Sequence, residues 1–148
     1  MNSPASVVTE SVPELRPGAI SRTTLALFAG ASGDHNPIHI DIDSARASGV
    51  DDVFAHGMLS MAYLGRLLTD WVPQSRIIEL STRFTSITPV LAEPVFRAEI
   101  TEIETLDGEQ RAHLDLTAVL ADGTKTLAGK AVVAWPAGEG PRDAKMNP

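Results

Sequence analysis

The chain has 148 residues, enough for one hydrophobic core and too few for two domains of ordinary size. Its 12 Lys and Arg stand against 19 Asp and Glu, a net charge of -7 with no basic run, which argues against a nucleic-acid surface but leaves room for a small anionic ligand. Cysteine is absent, which excludes disulfides, thiol catalysis and thiolate metal ligands; no apolar run approaches the ~20 residues of a membrane span and Met1-Asn2-Ser3-Pro4 has no leader pattern, so a cytoplasmic location is expected.

Residues 1–14 are rich in Ser, Pro, Thr and Glu and read as a flexible N-terminal tail, because they offer little apolar surface to offset ordering entropy. A single domain is expected over 15–136. Ser21 is placed to cap a helix from Arg22 to Ser32, and Gly33 stands where a left-handed residue would stop it. The segment Ile40 to Val53 is polar and turn-rich, a surface crossover with a short helix at Ser44 to Ala47. From Ala55 to Trp71 the chain is apolar on nearly every face, which predicts a central helix of about 25 Å, buried all round and ended before Pro73. Four strand-like segments follow, Arg76 to Thr85, Val95 to Ile103, Gln110 to Leu120 and Thr124 to Ala134. In the third, Ala112, Leu114, Leu116 and Ala118 share one face. Turn signals at Pro89, Asp107-Gly108 and Asp122-Gly123 separate the strands, the last two being short hairpin cues that make the second half of the sheet antiparallel, and residues 137–148 read as a flexible C-terminal tail. The whole is an α+β domain in which a curved antiparallel meander wraps one long helix, with open sheet edges that favour a dimer.

Two stretches carry residues suited to chemistry. In Ala31 to Asp41, Asp34 and His39 lie five residues apart across Asn36-Pro37; Pro37 restricts the backbone of both, and Asn36 is suited to lock the turn. A carboxylate and a neutral imidazole held this way can carry a water between them and move its protons. The same residues are equally met by a turn that Asp34 caps and that exposes His39, or by a metal site built from Asp34, His35 and His39. The second stretch is His56-Gly57-Met58 at the start of the long helix. There the Gly57 amide would lie among the unpaired N–H groups at the positive end of the helix dipole, the build of an oxyanion site. Close packing at Gly57 and a capping role for His56 explain those residues as well, and Met58, Met61 and Leu64 have the spacing of core residues.

Taken together, Phe28 to His39 (F-A-G-A-S-G-D-H-N-P-I-H) and Phe54 to Ala62 (F-A-H-G-M-L-S-M-A) resemble the hydratase signature of the MaoC-like, (R)-specific enoyl-CoA hydratase and dehydratase family of hot-dog folds. The resemblance runs from about Arg16 to Trp135 and is strongest to actinobacterial catalytic dehydratase subunits. It implies a hot-dog fold with the active site at a dimer or pseudo-dimer interface. It also implies Asp34 and His39 as the catalytic pair, the Gly57 amide as the oxyanion and substrate-binding group, Asn36 as a support of the loop, and neither cofactor nor metal. The implied reaction is reversible (R)-specific hydration of trans-2-enoyl thioesters, with acyl-CoA or acyl-ACP as the substrate partner. In some short-chain relatives a hydroxyl follows nine residues after the His of H-G-M; here that position is Gly65, so its role is absent or falls to Ser60, and the space favours a bulkier acyl group.

Two other readings stay open at this point. One is an acyl-thioester-binding subunit, inactive alone, in a heterodimer with a related hot-dog subunit in place of a homodimer. The other is a thioesterase, which would need a carboxylate on the central helix, where the first acid after Ala55 is Asp70. Arg46, Arg66, Arg76, Arg83 and Lys130 are the candidates for meeting carrier phosphates.

Overall fold

The strands form one four-stranded antiparallel sheet, seen in a computed structural model that describes residues 11–142: β1 Ile77–Phe84, β2 Val95–Leu106, β3 Glu109–Val119 and β4 Lys125–Pro136. The helices are α1 Arg22–Ser32, α2 Ile42–Ala47 and α3 Gly57–Trp71. Strands β2, β3 and β4 are joined by tight turns at Gly108 and Gly123, both at positive φ as the Asp-Gly pairs require. The meander expected from the sequence is corrected at its start, since β1 pairs with β4 and not with β2, giving the order β1-β4-β3-β2. Strand alternation cannot distinguish these pairings, because every strand offers an apolar face to the same core.

That core is built from Phe96, Leu114, Leu116, Leu127, Val133 and Trp135 of the sheet against Leu64, Leu67, Leu68 and Trp71 of α3. Each large side chain removed from water contributes about 1.5–3 kcal/mol, so this layer carries most of the domain's hydrophobic stabilisation. The expected burial of α3 on all faces is corrected. Leu59, Ser60, Leu64, Leu67, Leu68 and Trp71 point inward, while Met58 is 55% exposed and Ala62 and Arg66 are open to solvent. One sheet layer covers only one side of a helix, and the described residues supply no second sheet.

A smaller cluster of Ile20, Leu25, Ala45, Val53, Ala55 and Leu59 fastens α1, α2 and the approach to α3 to one another. The short helix of the crossover begins at Ile42, two residues before the expected Ser44, because Asp41 caps it by accepting from the Asp43 amide at 3.0 Å. The packed chain also starts before residue 15. Val12 is buried in the main core, Glu14 is ion-paired with Arg97, and Leu15 makes a two-way backbone bridge with Phe96. At the other end Ala137 bonds to the Gly108 carbonyl and Pro141 is buried. The remainder of both expected tails, 1–10 and 143–148, lies outside the described residues.

Candidate active site

The loop after α1 is built from its own backbone bonds. Gly33 adopts φ 77, and its N–H closes the helix on the Ala29 carbonyl at 3.1 Å, turning the chain outward. Asp34 Oδ1 then accepts from the Asn36 amide at 3.2 Å, and Asn36 Oδ1 accepts from the Ile38 amide at 3.3 Å, two successive side-chain turns. Pro37 opens a single 3-10 turn, Pro37–His39, at the position where its missing N–H costs nothing. This sequence of turns leaves Asp34 at the surface and drives His39 inward to 7% exposure.

The inward face is completed by the segment entering α3. Ala55 N–H donates to the Thr88 carbonyl at 2.8 Å and Val90 N–H to the Val53 carbonyl at 3.3 Å, which pins residues 53–55 against the loop following β1. So fixed, the Phe54 carbonyl accepts from His39 Nδ1–H at 2.8 Å, which leaves the lone pair of the imidazole on Nε2. His56, 1% exposed, donates from Nε2–H to the backbone carbonyl of Asp34 at 3.1 Å. Its ring lies 4.0 Å from that of His39, centroid to centroid, and makes an edge contact with Phe28 at 4.9 Å. Burial holds the His56 imidazole below its ordinary value; the bond to Asp34 opposes that shift and the neighbouring His39 adds to it.

Asp34, His39 and His56 each bring one ligand-type atom to within 4.8 Å of the others. A metal would be drawn from this trio and not from His35, which is exposed. His39 Nδ1–H and His56 Nε2–H are, however, both engaged with backbone carbonyls. Each ring keeps a lone pair on its other nitrogen, His39 on Nε2 and His56 on Nδ1, and with the Asp34 carboxylate these are what the arrangement offers; the Asp34 and His39 groups suit proton transfer.

Gly57 is the first residue of α3, so its amide has no acceptor inside the helix. It lines a cavity of about 430 Å³ with Phe54, Ser60, Phe84, Ile87 and Thr126. Asp34 lines a different one, about 450 Å³, with Phe28, Met58, Met61 and Ala62. Asp34 and the Gly57 residue therefore border two different cavities of the single chain. A Cβ at residue 57 would come within 3.2–3.3 Å of three ring carbons of Phe84, so glycine here lets the aromatic ring lie against the helix start. Sequence spacing gave no sign of the Phe84 contact or of the bond from His56 to Asp34, since each joins residues more than twenty positions apart. An F-A-H-G run entering a helix was the one available signal.

Among the basic candidates, Arg66 pairs with Asp70, Arg76 with Glu109 and Lys130 with Asp115, at 3.7, 3.9 and 3.3 Å, while Arg46 Nε–H donates to the Asp51 carbonyl. Arg83 and Lys130 line one shallow groove on the sheet. Asp70, the first acid after Ala55, is exposed beside Arg66.

Solved structures with this architecture define the class. The chain superposes with a TM-score of 0.73 on the (R)-hydratase from A. caviae involved in PHA biosynthesis, at 24% identity, over 88% of this chain and 100% of that one. It also superposes with a TM-score of 0.73 on a chain of the ChsH1-ChsH2 complex from Mycobacterium tuberculosis, at 23% identity over 88% and 98%. The fold is the hot-dog fold, a curved antiparallel sheet against one long helix. Within that class, residues 5–124 match the MaoC like domain, and an (R)-specific enoyl-CoA hydratase of Rhodospirillum rubrum is 30% identical over 118 residues, 80% of this chain and 81% of the relative. The chain belongs to the MaoC-like family.

Proposed function

We propose that the protein is a hydro-lyase catalysing reversible (R)-specific hydration of trans-2-enoyl thioesters, carried on CoA or an acyl carrier protein, to 3-hydroxyacyl thioesters. The observation that carries this reading is that ligand-type atoms of Asp34 and His39 lie within 4.8 Å of each other, beside His56 at the start of α3. The likeness to named (R)-specific enoyl-CoA hydratases supports it.

The thioester carbonyl oxygen accepts from the Gly57 amide at the positive end of α3, so negative charge developing on that oxygen meets a fixed donor. A water held between Asp34 and His39 gives one proton to this pair while its oxygen bonds to the β-carbon, and the π electrons move toward the α-carbon and carbonyl. The α-carbon then takes a proton from the pair, leaving a 3-hydroxyacyl thioester; dehydration is the reverse. Protons are shared by two coupled groups, so the role of base belongs to the pair. Asn36 supports the geometry by tying the loop to the Ile38 amide.

Two copies of the chain complete the site. The exposed Met58 beside Asp34 and the open outer edge of β1 are the surfaces a partner would cover, and Leu15 already covers part of the β2 edge. A heterodimer with a related subunit is the second reading, favoured by the similarity to a chain of the ChsH1-ChsH2 complex.

Purified protein is expected to consume crotonyl-CoA or a longer 2-enoyl-CoA, followed by loss of the conjugated-thioester absorbance. Asp34→Asn and His39→Ala should each lower kcat by about two orders of magnitude or more with the fold intact by circular dichroism. Wild-type rates in both variants would remove the mechanism. Activity that arises only on adding a second subunit would select the heterodimer.

A further inference from the structure

His56 takes no part in the proton transfers above, yet at 1% exposure it is the least accessible of the buried polar side chains. Its Nε2–H is engaged with the Asp34 carbonyl, while its Nδ1 has no hydrogen-bond partner and no contact with solvent. We propose that His56 is a positioning residue, a neutral imidazole that carries its proton on Nε2, anchors the Asp34 carbonyl and backs the His39 ring, thereby setting the separation of the two catalytic groups.

Two observations converge on this role. Among the described residues the other bonds of Asp34 are short-range ones, to Ser32 at the end of α1 and to Asn36, and the bond from His56 is its tie to a distant segment. The His56 ring packs against both Phe28 of α1 and His39, with centroids 4.9 and 4.0 Å away. An apolar residue would fill the same space, but without a donor it would leave the Asp34 carbonyl free to drift. The orphaned Nδ1 adds a condition. Protonating it would create a buried N–H with no acceptor and a cation at the positive end of α3. The titratable groups acting on the ring are Asp34 from the loop and His39 from the 3-10 turn.

The linkage follows. Below pH 6.5, the ordinary value for this ring, the unfolded chain takes up a proton that the folded site resists, so this residue costs the fold stability as pH falls; above that value it costs nothing.

The kinetic half of this role rests on the hydratase reading, while the tautomer can be tested without it. Long-range ¹H–¹⁵N spectra of the full chain should give His56 as the Nε2–H tautomer, taking up its proton at lower pH than an exposed histidine, whereas titration as an exposed histidine or an Nδ1–H tautomer would overturn the proposal. In the enoyl-CoA assay His56→Leu should lose kcat by about ten- to a hundredfold, the scale usual for groups that hold a catalytic residue in place, with KM little changed. His56→Gln, whose amide can restore the donor, should recover most of kcat. Equal losses in both variants would refute the role. If wild-type protein hydrates no enoyl thioester, the hydratase reading fails by itself. Amide exchange at Asn36 then decides the positioning role, expected to quicken in His56→Leu and not in His56→Gln; no difference would refute it.

Discussion

At the scale of single residues, the loop from Gly33 to His39 was legible because each position does a local job. Glycine ends the helix at φ 77, Asp34 and Asn36 each accept a backbone N–H two residues on, and Pro37 starts a turn. Such bonds span two or three residues, and residue order encodes them directly. Gly65 is a residue whose meaning depends on surroundings. A Cβ built there meets no atom within 4 Å, so the glycine leaves open space beside the helix. Gly65→Ser is therefore expected to fold normally, with a small gain in helix propensity of about 0.5 kcal/mol. It should lower kcat/KM for long enoyl-CoAs relative to crotonyl-CoA. An unchanged chain-length profile in a steady-state series would show that this space is not used by the acyl group.

At the scale of elements, the strands were predicted to within a few residues, yet the place of β1 was not. It lies beside β4, and the approach is close at Gly129, where an added Cβ would run into the Ser81 carbonyl oxygen and crowd Thr82. Backbone cannot yield as a flexible side chain does. Gly129→Ala should consequently destabilise the domain by roughly 1–3 kcal/mol, the usual range for overpacking, measured by urea titration. Loss should be concentrated in the β1–β4 pairing, read as faster amide exchange in β1, and a variant as stable as wild type would contradict the packing. The long helix gives the complementary lesson. Its composition was apolar enough for burial on every side, but Met58 lies open and Met61 half-buried along a groove shared with Phe28 and Asp34.

For the whole molecule, that open face and the edge of β1 ask for a second layer. Ile78, Phe84, Ile87 and Leu91 add exposed apolar surface on and beyond the same strand, more than isolated chance exposure would place there. Light scattering after size exclusion should give twice the chain mass. Met58→Lys should shift that value toward one chain by placing a charge in the contact, and hydration activity should fall with it. A wild-type protein that is monomeric and fully active would remove the two-chain site. No helix among the described residues is long and apolar enough to cross a membrane.

The sequence by itself determined the features whose causes are local. These are the capped and terminated α1, the Asx turns of the loop, the Asp-Gly hairpins, and the alternating face of Ala112, Leu114, Leu116 and Ala118, which is buried throughout. The tertiary structure decided what depends on distant segments meeting. It placed β1 against β4, turned one side of α3 to solvent, and set His56 against a carbonyl 22 residues away, with Phe84 over Gly57. Backbone turns and periodicity act over a few residues and leave their mark in residue order. Long-range contacts are selected by shape and by the satisfaction of buried polar groups, and those are properties of the folded chain.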